Sequence, residues 1–295
     1  MMRSLYSGVS GLRNHQTRMD VIGNNIANVN TTAFKTSRTV FQDIYSQTVK
    51  TASAGTATLG GTNPSQIGLG VRLASIDTIF TSGATQITDN PSDLAMEGDG
   101  FFVIDINGTD PGGIKYTRAG NFYVDNAGKL VTSDGYFVMG YMLQTITYDA
   151  NGNVTNMVAK PAPTLPVEAT ALEQLDLGPF VNISFDSTGT IWGYTANDEK
   201  VAVAQVSMAM FTNNTGLEKA GGSLYNATAS SGAALYTASG KHGSGVINPG
   251  GLEMSNVDLA AEFTDMIVTQ RGFQANSRII TTSDSMLEEL VNLKR

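Results

Sequence analysis

The two ends of the chain carry an apolar residue at every seventh position. A repeat of this kind is typical of helices that pack against other helices in a coiled coil. None of the eight prolines lies in either segment, so no proline interrupts a helix there. The sequence therefore predicts a helical coiled-coil domain from residues 1–32 and 257–295. Its predicted seam residues are Leu5, Leu12, Met19, Ile26, Leu259, Met266, Phe273, Ile280 and Leu287.

The sequence between these ends changes to short strands separated by turn residues. Runs such as FFVID, VNISF and VAVAQVSMAMF are apolar or alternating, and Gly, Asn and Asp punctuate them. An Asp-x-x-Gly turn recurs at residues 125–128, 149–152 and 186–189. In such a turn Asp accepts backbone hydrogen bonds, and Gly takes the left-handed conformation that closes a hairpin. Residues 71–244 are therefore predicted to form a β-rich domain, and the fold class is α+β.

The segments that join the helices to the β domain have the composition of a connector. Residues 53–70 are uncharged and rich in Gly, Ser and Thr, as flexible linkers are. We therefore assign residues 33–70 and 245–256 to an extended connector. A single apolar stripe on each helix buries too little surface to hold a long helix alone, so neighbouring subunits are expected to supply the remaining contacts. The alternative is that both helices pack on the β domain as part of an ordinary core.

Composition and charge exclude several classes of protein. The net charge of −8 argues against a nucleic-acid partner, because phosphate binding depends on clustered Lys and Arg. Residues 1–50 carry six basic and two acidic side chains, whereas residues 251–295 carry four and seven, so the ends attract each other within or between chains. No run of 18 apolar residues and no signal-peptide core is present, so neither membrane insertion nor general secretory export is expected.

No motif in the sequence indicates a catalytic, cofactor or metal site. Asp149, Asn151 and Asn153 begin like a calcium loop, but Val154 replaces the required glycine and Lys160 replaces the chelating glutamate. The chain has no cysteine, which excludes thiolate nucleophiles and ligands. No nucleophile elbow, Walker or dinucleotide fingerprint occurs. Catalytic, cofactor-binding and metal-binding residues are therefore predicted to be none, and the chain is not expected to be an enzyme.

Two weaker candidates have simpler interpretations. The string EGDG at residues 97–100 is acidic, but an apolar strand follows it, so a turn before that strand is the better interpretation. His15 and His242 are far apart in the sequence and have no recognisable partner pattern. His15 falls on a predicted helix, where a packing or surface role is expected.

The opening run SLYSGVSGLRNHQTRMDVIGNNIANVNTTAFK resembles the N-terminal signature of the bacterial flagellar rod and hook family. That family shares the pattern Asn-Asn-x-Ala-Asn-x-x-Thr-x-Gly-Phe-Lys, in which Ala33 here replaces the glycine. The matching residues are Asn24, Asn25, Ala27, Asn28, Thr31, Phe34 and Lys35. Uncharged amides form directional hydrogen bonds without the cost of burying charge, so GNNIANVNTTAFK is predicted to end the first helix and to serve as an assembly surface.

The C-terminal run, from Leu252 onward, is similar to the hook members of this family in particular. Rod members typically have an Arg-Ala-Tyr-Glu sequence where this chain has Arg-Gly-Phe-Gln at residues 271–274, and they usually lack the Glu-Leu-Val-Asn-Leu ending. The segments DLAMEGDGFFVI, YTRAGNF and FTNNTGLEK resemble the family's shared β domain. Residues 144–165 leave room for little more than one hairpin, so a full additional outer domain is not expected.

The resemblance implies a structural subunit of the flagellar hook, a curved flexible tube that acts as a universal joint and passes motor torque from rod to filament. The helical ends would form the inner tube and the β domain the outer surface. The implied partners are other copies of the chain in a helical homopolymer, the distal rod, hook cap and hook-filament junction proteins, the hook-length ruler and the type III export apparatus. The implied location is the extracellular hook and basal body.

Two alternatives accompany this hypothesis. Within the family, the chain could be a distal rod subunit, which forms a straight driveshaft. Outside the family, it could be an extracellular β-domain adhesin or a carbohydrate-active enzyme.

Overall fold

The computed structural model describes residues 2–55, 60–106, 113–148, 154–160, 172–178, 180–195 and 199–293. The chain divides into two compact units. We call the first the helical unit, which comprises Met1–Val29, Thr36–Ile79 and Val257–Arg295. We call the second the β unit, which comprises Asn30–Lys35 and Phe80–Asn256. The division into helical ends, connector and β domain at the boundaries given above stays a prediction.

The helical unit contains one helix from each end of the chain. Helix α1 spans Met2–Ala27 and helix α2 spans Leu259–Asn292. Asp258 begins α2 as an N-cap, because its side chain accepts hydrogen bonds from the backbone N–H groups of Ala260 and Ala261 at 2.9 and 3.3 Å. The prediction of a helix at each end of a mostly β chain is confirmed.

Helices α1 and α2 run antiparallel, and small, polar and apolar residues meet at their contact, where Ile280 packs against Gly8. Ser4 Oγ lies 3.4 Å from Ser283 Oγ at one end of the pair, and Arg18 forms a 2.9 Å ion pair with Asp265 towards the other. A Cβ atom on Gly11 would lie 2.6 Å from Asn276 Nδ2, so glycine allows the two helices to approach closely.

Four strands complete the helical unit. Strand β1 (Ser37–Asp43) pairs antiparallel with β4 (Val71–Thr78), and β2 (Ser46–Lys50) pairs antiparallel with β3 (Ser65–Gly68). Three of these strands lie in the segment that composition alone assigned to a connector. Their side chains are mostly exposed or partly buried, and therefore the segment lacks the apolar runs that reveal a strand in a sequence.

The β unit is built from short antiparallel strands, as the turn-punctuated sequence predicts. Thirteen of the described strands join in one sheet, whose longest ladder follows the order β15-β16-β17-β11-β7-β8-β20-β19. The strands are β5 (Thr85–Ile87), β6 (Leu94–Glu97), β7 (Phe101–Asp105), β8 (Ile114–Thr117), β9 (Phe122–Val124), β10 (Leu130–Thr132), β11 (Phe137–Met142), β12 (Gln144–Tyr148), β13 (Val154–Ala159), β14 (Glu173–Gln174), β15 (Val181–Phe185), β16 (Thr190–Tyr194), β17 (Lys200–Val206), β18 (Met208–Met210), β19 (Glu218–Gly221), β20 (Leu224–Asn226), β21 (Leu235–Thr237), β22 (Val246–Pro249) and β23 (Gly251–Glu253). A short 3-10 helix, Asn214–Gly216, precedes β19.

The β unit holds two apolar cores, one on each face of strand β7. The side chains of Phe102 and Ile104 enter one core, and those of Phe101 and Val103 enter the other. All four are at most 1% exposed. This strand is therefore covered on both faces, which explains its unbroken apolar sequence.

Two of the predicted Asp-x-x-Gly turns close hairpins. Gly128 N–H donates to the Asp125 carbonyl at 2.8 Å, and Gly189 N–H donates to the Asp186 carbonyl at 2.9 Å. Both glycines have positive φ, at 82° and 72°. The third turn, at residues 149–152, lies outside the described residues, between the paired strands β12 and β13. Within the described part of the chain, no helix is long and apolar enough to cross a membrane.

Candidate assembly site

The family-like motif at the end of α1 is anchored by a buried asparagine. Asn25, which is 2% exposed, donates from Nδ2 to the Ser37 carbonyl and to Glu262 Oε1, both at 2.9 Å. Its Oδ1 accepts a hydrogen bond from Ser37 N–H at 3.1 Å. One amide therefore fixes the start of β1 and the first turn of α2 to the end of α1. Burial raises the pKa of Glu262, and the hydrogen bond from Asn25 opposes that rise.

The neighbouring asparagines close the last turn of α1. Asn28 Nδ2 donates to the Asn24 carbonyl at 2.9 Å and to Asn24 Oδ1 at 2.8 Å. Asn24 and Ala27 are exposed, and Asn28 is partly buried. The helix therefore ends within the asparagine-rich run, and the exposed motif side chains are free of the chain's own core.

Ala33 keeps the left-handed backbone that the family's glycine would adopt. Its φ is 57°, and its side chain is 1% exposed. Its N–H donates to the Glu253 carbonyl at 2.8 Å. A left-handed residue other than glycine costs about 1–2 kcal/mol, so the surrounding contacts must hold this segment in place. Next to it, Phe34 packs under the Lys219 ammonium, whose Nζ lies 5.0 Å from the ring centroid.

Lys35, the last motif residue, enters a buried ion cluster in the β unit. Its Nζ donates to Glu253 Oε1 at 2.6 Å and to the Thr81 carbonyl at 2.7 Å. The same carboxylate oxygen accepts from Gly83 N–H at 3.0 Å and lies 3.4 Å from Arg118 Nη1. Burial, and then the Arg118 charge, lower the pKa of Lys35 from its ordinary value, while Glu253 opposes that change.

Arg118 connects this cluster to the loop before β7. Its Nε donates to the Gly100 carbonyl at 3.0 Å, and its Nη2 donates to the Gly98 carbonyl. Its guanidinium carbon lies 5.7 Å from the centroid of the Phe101 ring. In the acidic string EGDG, Glu97 therefore ends β6 and residues 98–100 form the predicted turn before β7, with the Gly98 and Gly100 carbonyls in contact with the cluster.

The predicted seam residues differ in exposure, and one of them, Ile280, contacts α1 at Gly8, where a Cβ atom would lie 3.3 Å from Ile280 Cγ1. Leu259 and Phe273 are each 38% exposed. The other seven are partly buried. Further apolar side chains of α2 are exposed and have no cover within the described chain; they are Phe263, Ile267, Val268, Ile279, Met286, Leu290 and Val291. The assignment of the seam to contacts between subunits stays a prediction.

The described residues form no candidate metal centre. No group of three or more His, Cys, Asp or Glu side chains there is placed to hold a metal ion. The residues of the calcium-like loop, 149–153, lie outside the described part. His15 packs its ring against Gly272, where a Cβ atom would lie 2.7 Å from the imidazole.

Comparisons with known proteins assign all three parts of the chain to one family. The model "Flagella basal body rod protein" matches residues 5–35, "Flagellar hook protein FlgE/F/G D1 domain" matches residues 95–192, and "Flagellar basal body rod FlgEFG protein C-terminal" matches residues 248–293. The flagellar basal-body rod protein FlgG of Bacillus subtilis is 48% identical over 296 positions that cover all of both chains. The chain belongs to the flagellar rod and hook protein family. Its relatives are structural proteins of the flagellum, not enzymes.

Both rod and hook members of the family match the whole chain. The flagellar hook proteins FlgE of Borreliella burgdorferi and Treponema pallidum are 32% and 31% identical over alignments of 445 and 469 positions, which cover all of each chain. The crystal structure of Helicobacter pylori flagellar hook protein FlgE2 matches 66% of this chain and 47% of that chain at 16% identity. Its TM-score of 0.22 is too low to support a statement about the fold. These matches therefore do not specifically support the hook over the rod.

Sequence reasoning found Lys35 but missed its partners. Glu253 and Arg118 lie 218 and 83 residues away along the chain, so no local spacing connects them. The sequence offers only an indirect indication of these partners. Lys35 is the single charged residue of the motif, and it follows the apolar ring of Phe34. Such a cation is expected to find a buried carboxylate.

Proposed function

We propose that this protein is a subunit of the flagellar distal rod and that its copies assemble through their helical ends. The match to the Bacillus subtilis rod protein, 296 positions for 295 residues, carries this proposal. The alignments to the two hook proteins exceed the length of this chain by 150 and 174 positions. At least 150 residues of the first hook protein and 174 of the second therefore have no counterpart in this chain. The rod protein, in contrast, aligns with this chain along its whole length.

The surface of the helical unit supports self-assembly. Phe263, Ile267 and Val268 on α2 are 50%, 59% and 56% exposed. Three such neighbours on one helix form an apolar surface that a second chain would cover, and burial of large apolar side chains contributes about 1.5–3 kcal/mol each. The exposed amides at the end of α1 would add directional hydrogen bonds at the same subunit contacts.

The remaining partners follow from this assignment. In a rod the subunit would contact its own copies, the more proximal rod and the hook that continues from it. Export would use the flagellar type III route, and assembly would occur in the basal body. The hook remains the second candidate, and the Arg-Gly-Phe-Gln sequence at residues 271–274 is the observation that favours it.

Complementation separates the two candidates. Full-length protein is expressed in one strain that lacks its distal rod subunit and in another that lacks its hook protein, and swimming is scored in both. We expect swimming to return only in the first strain, and electron micrographs of isolated basal bodies to show a straight rod of normal length. Rescue of the second strain alone, with curved polymers, would transfer the assignment to the hook.

A further inference from the structure

A surface groove lies along the first half of α1 in the helical unit. Five α1 residues at helical spacing form one wall, and the start of β4 with the β1–β2 turn forms the other. The groove has a volume of about 380 Å³. The lining residues on α1 include Tyr6, Val9 and Arg13, and those on the other wall include Ile44, Val71 and Arg72.

Hydrogen bonds hold the two walls together. Asn14 Nδ2 donates to the Val71 carbonyl at 2.6 Å, and Ser10 Oγ accepts from Val71 N–H at 3.4 Å. Gly70 has a φ of 126°, and a Cβ atom there would lie 2.4 Å from Ser10 Oγ, so the chain passes directly against α1 at this point. The groove is therefore a fixed feature of the helical unit.

The groove is apolar with a basic rim. Tyr6, Val9 and Ile44 are 68%, 39% and 49% exposed. Arg13 and Arg72 supply two positive charges, and no carboxylate is among the lining side chains. With its amide oriented to fit, Gln42 accepts hydrogen bonds from Arg72 at 2.7 and 2.9 Å, and this neutral partner positions the guanidinium without neutralising its charge. The occupant that fits is therefore apolar and acidic.

The last turns of α2 have this chemistry, and their apolar side chains are exposed within the described part of the chain. Ser283 pairs with Ser4, close to the start of α1, so α2 continues past the end of its neighbour. Residues 284–292 carry three acidic side chains and no basic one. Within them Leu290 and Val291 are 49% and 66% exposed, and Leu293, which follows, is 82% exposed.

We propose that the end of α2 from one subunit, residues 284–293, binds the α1–β4 groove of the next subunit. This proposal rests on the proposed self-assembly. The chain's own α2 cannot fill its groove, because Gly8 and Gly11 in the groove-bearing half of α1 face Asn276. Leu290 lies fourteen residues further along an unbroken helix, roughly 21 Å along its axis. A contact between two different surfaces of one chain repeats head to tail, as an open filament requires.

Engineered cysteines test the contact, since the chain contains none of its own. The full-length double variant Ile44→Cys with Leu290→Cys replaces the native subunit in cells, and isolated basal bodies are oxidised and run on a non-reducing gel. We expect a ladder of multimers. The pair Tyr123→Cys with Leu290→Cys is the matched control, because Tyr123 is 45% exposed but lies in the β unit, and it should remain monomeric.

Other results of the cysteine experiment would contradict the proposed contact. A fast-migrating monomer with an internal disulfide would show that α2 fills its own groove, and a dimer from Ile44→Cys alone would show a symmetric contact. Either result would overturn the proposal. Straight rods that show no ladder would also overturn it, but they would leave the proposed function standing. Absence of any polymer from the unmodified protein would reject both.

Charge reversal tests the same contact in a second, independent experiment. Arg13→Glu or Glu288→Lys alone should raise the subunit concentration needed for polymerisation about fivefold, as expected for one exposed ion pair. The two changes together should restore the value of the unmodified chain. No recovery in the combined variant would also overturn the proposal.

Discussion

Lys35 Nζ and Glu253 Oε1 lie 2.6 Å apart, and the two side chains are 0% and 1% exposed. This ion pair ties the motif that follows α1 to β23, the last strand before α2, within the β unit. Arg118 shares the same carboxylate, so the cluster holds two cations and one anion. The second carboxylate oxygen, Oε2, is buried and has no hydrogen-bond partner among the described residues.

Removal of the shared anion should destabilise the β unit strongly. Glu253→Gln leaves two buried cations without a counter-charge, and loss of one partner from a buried pair costs about 3–5 kcal/mol. Lys35→Met should lower the free energy of unfolding by a smaller amount, because Arg118 still neutralises Glu253 in that variant. Urea denaturation followed by tryptophan fluorescence measures the free energy of unfolding. Glu173→Gln is the control, because its 2.7 Å pair with Lys160 is about half exposed and should contribute less than about 1 kcal/mol. An equal loss for Glu253→Gln and Glu173→Gln would contradict this account.

The sequence predicted those parts of the molecule that depend on local patterns. Helical ends follow from apolar spacing, and the hairpins at Gly128 and Gly189 follow from turn chemistry that operates within four residues. The ion cluster could not be predicted, because Lys35, Arg118 and Glu253 meet only after the sheet has formed. The strands at residues 37–50 and 65–68 were missed because their exposed faces carry polar residues.

Apolar periodicity predicts only part of the contact between the helices. The repeat includes Ile280, which contacts α1 at Gly8, but it does not include Gly8 or Gly11, where the two helices approach closely. Small residues give no hydrophobic signal, although they determine how closely two helices approach.

A bulky residue at this contact should separate the helices. Gly11→Leu would collide with Asn276, whereas Gly23→Leu is a matched control, because no atom lies within 4 Å of a Cβ there. The readout is a disulfide between Ser4→Cys and Ser283→Cys in assembled protein. We expect efficient oxidation in the unmodified background and with Gly23→Leu, and at least a fivefold slower rate, about 1 kcal/mol, with Gly11→Leu. Equal rates in all three would show that the pair tolerates a wider separation.

The isolated subunit should have an ordered β unit and mobile helical ends. Among the described residues of α1 only Ile22 is a buried large apolar side chain, and the buried residues of α2 are Thr269 and Ser283. Such a pair buries too little apolar surface to offset the entropy of two long helices. Amide hydrogen exchange of monomer should be fast over residues 2–27 and 259–292 and slow in β7. Slow exchange in the helices of the monomer would reject this expectation.

Assembled protein should lose stability in mild acid through His15. Burial, and then Arg18, lower the pKa of His15 from 6.5, and its Nδ1 is buried without a partner among the described residues. The folded state therefore favours neutral His15, so its contribution is complete above pH 6.5 and falls as pH decreases below that value. Light scattering of polymer between pH 7.5 and 5.5 should show a lower dissociation midpoint for His15→Gln. Glu262 has the opposite effect, because its raised pKa stabilises the folded state as the pH falls. The ordinary pKa of Glu262, 4.5, lies below the pH range of this measurement. An unchanged midpoint would exclude His15 as the titrating group.

A charge on the predicted seam should prevent assembly without unfolding the β unit. Phe273 is 38% exposed in the single chain, so Phe273→Asp removes little internal packing. It would, however, place a carboxylate in an apolar contact between subunits, where an unpaired charge costs several kcal/mol. Ala275→Asp, on the same helix but outside the seam, is the matched control. We expect Phe273→Asp cells to lose swimming and to contain no rods, with β-unit denaturation unchanged, while Ala275→Asp cells swim. Normal swimming with Phe273→Asp would show that the heptad repeat lies on a free surface, and assembly would then depend on the groove and the asparagine motif.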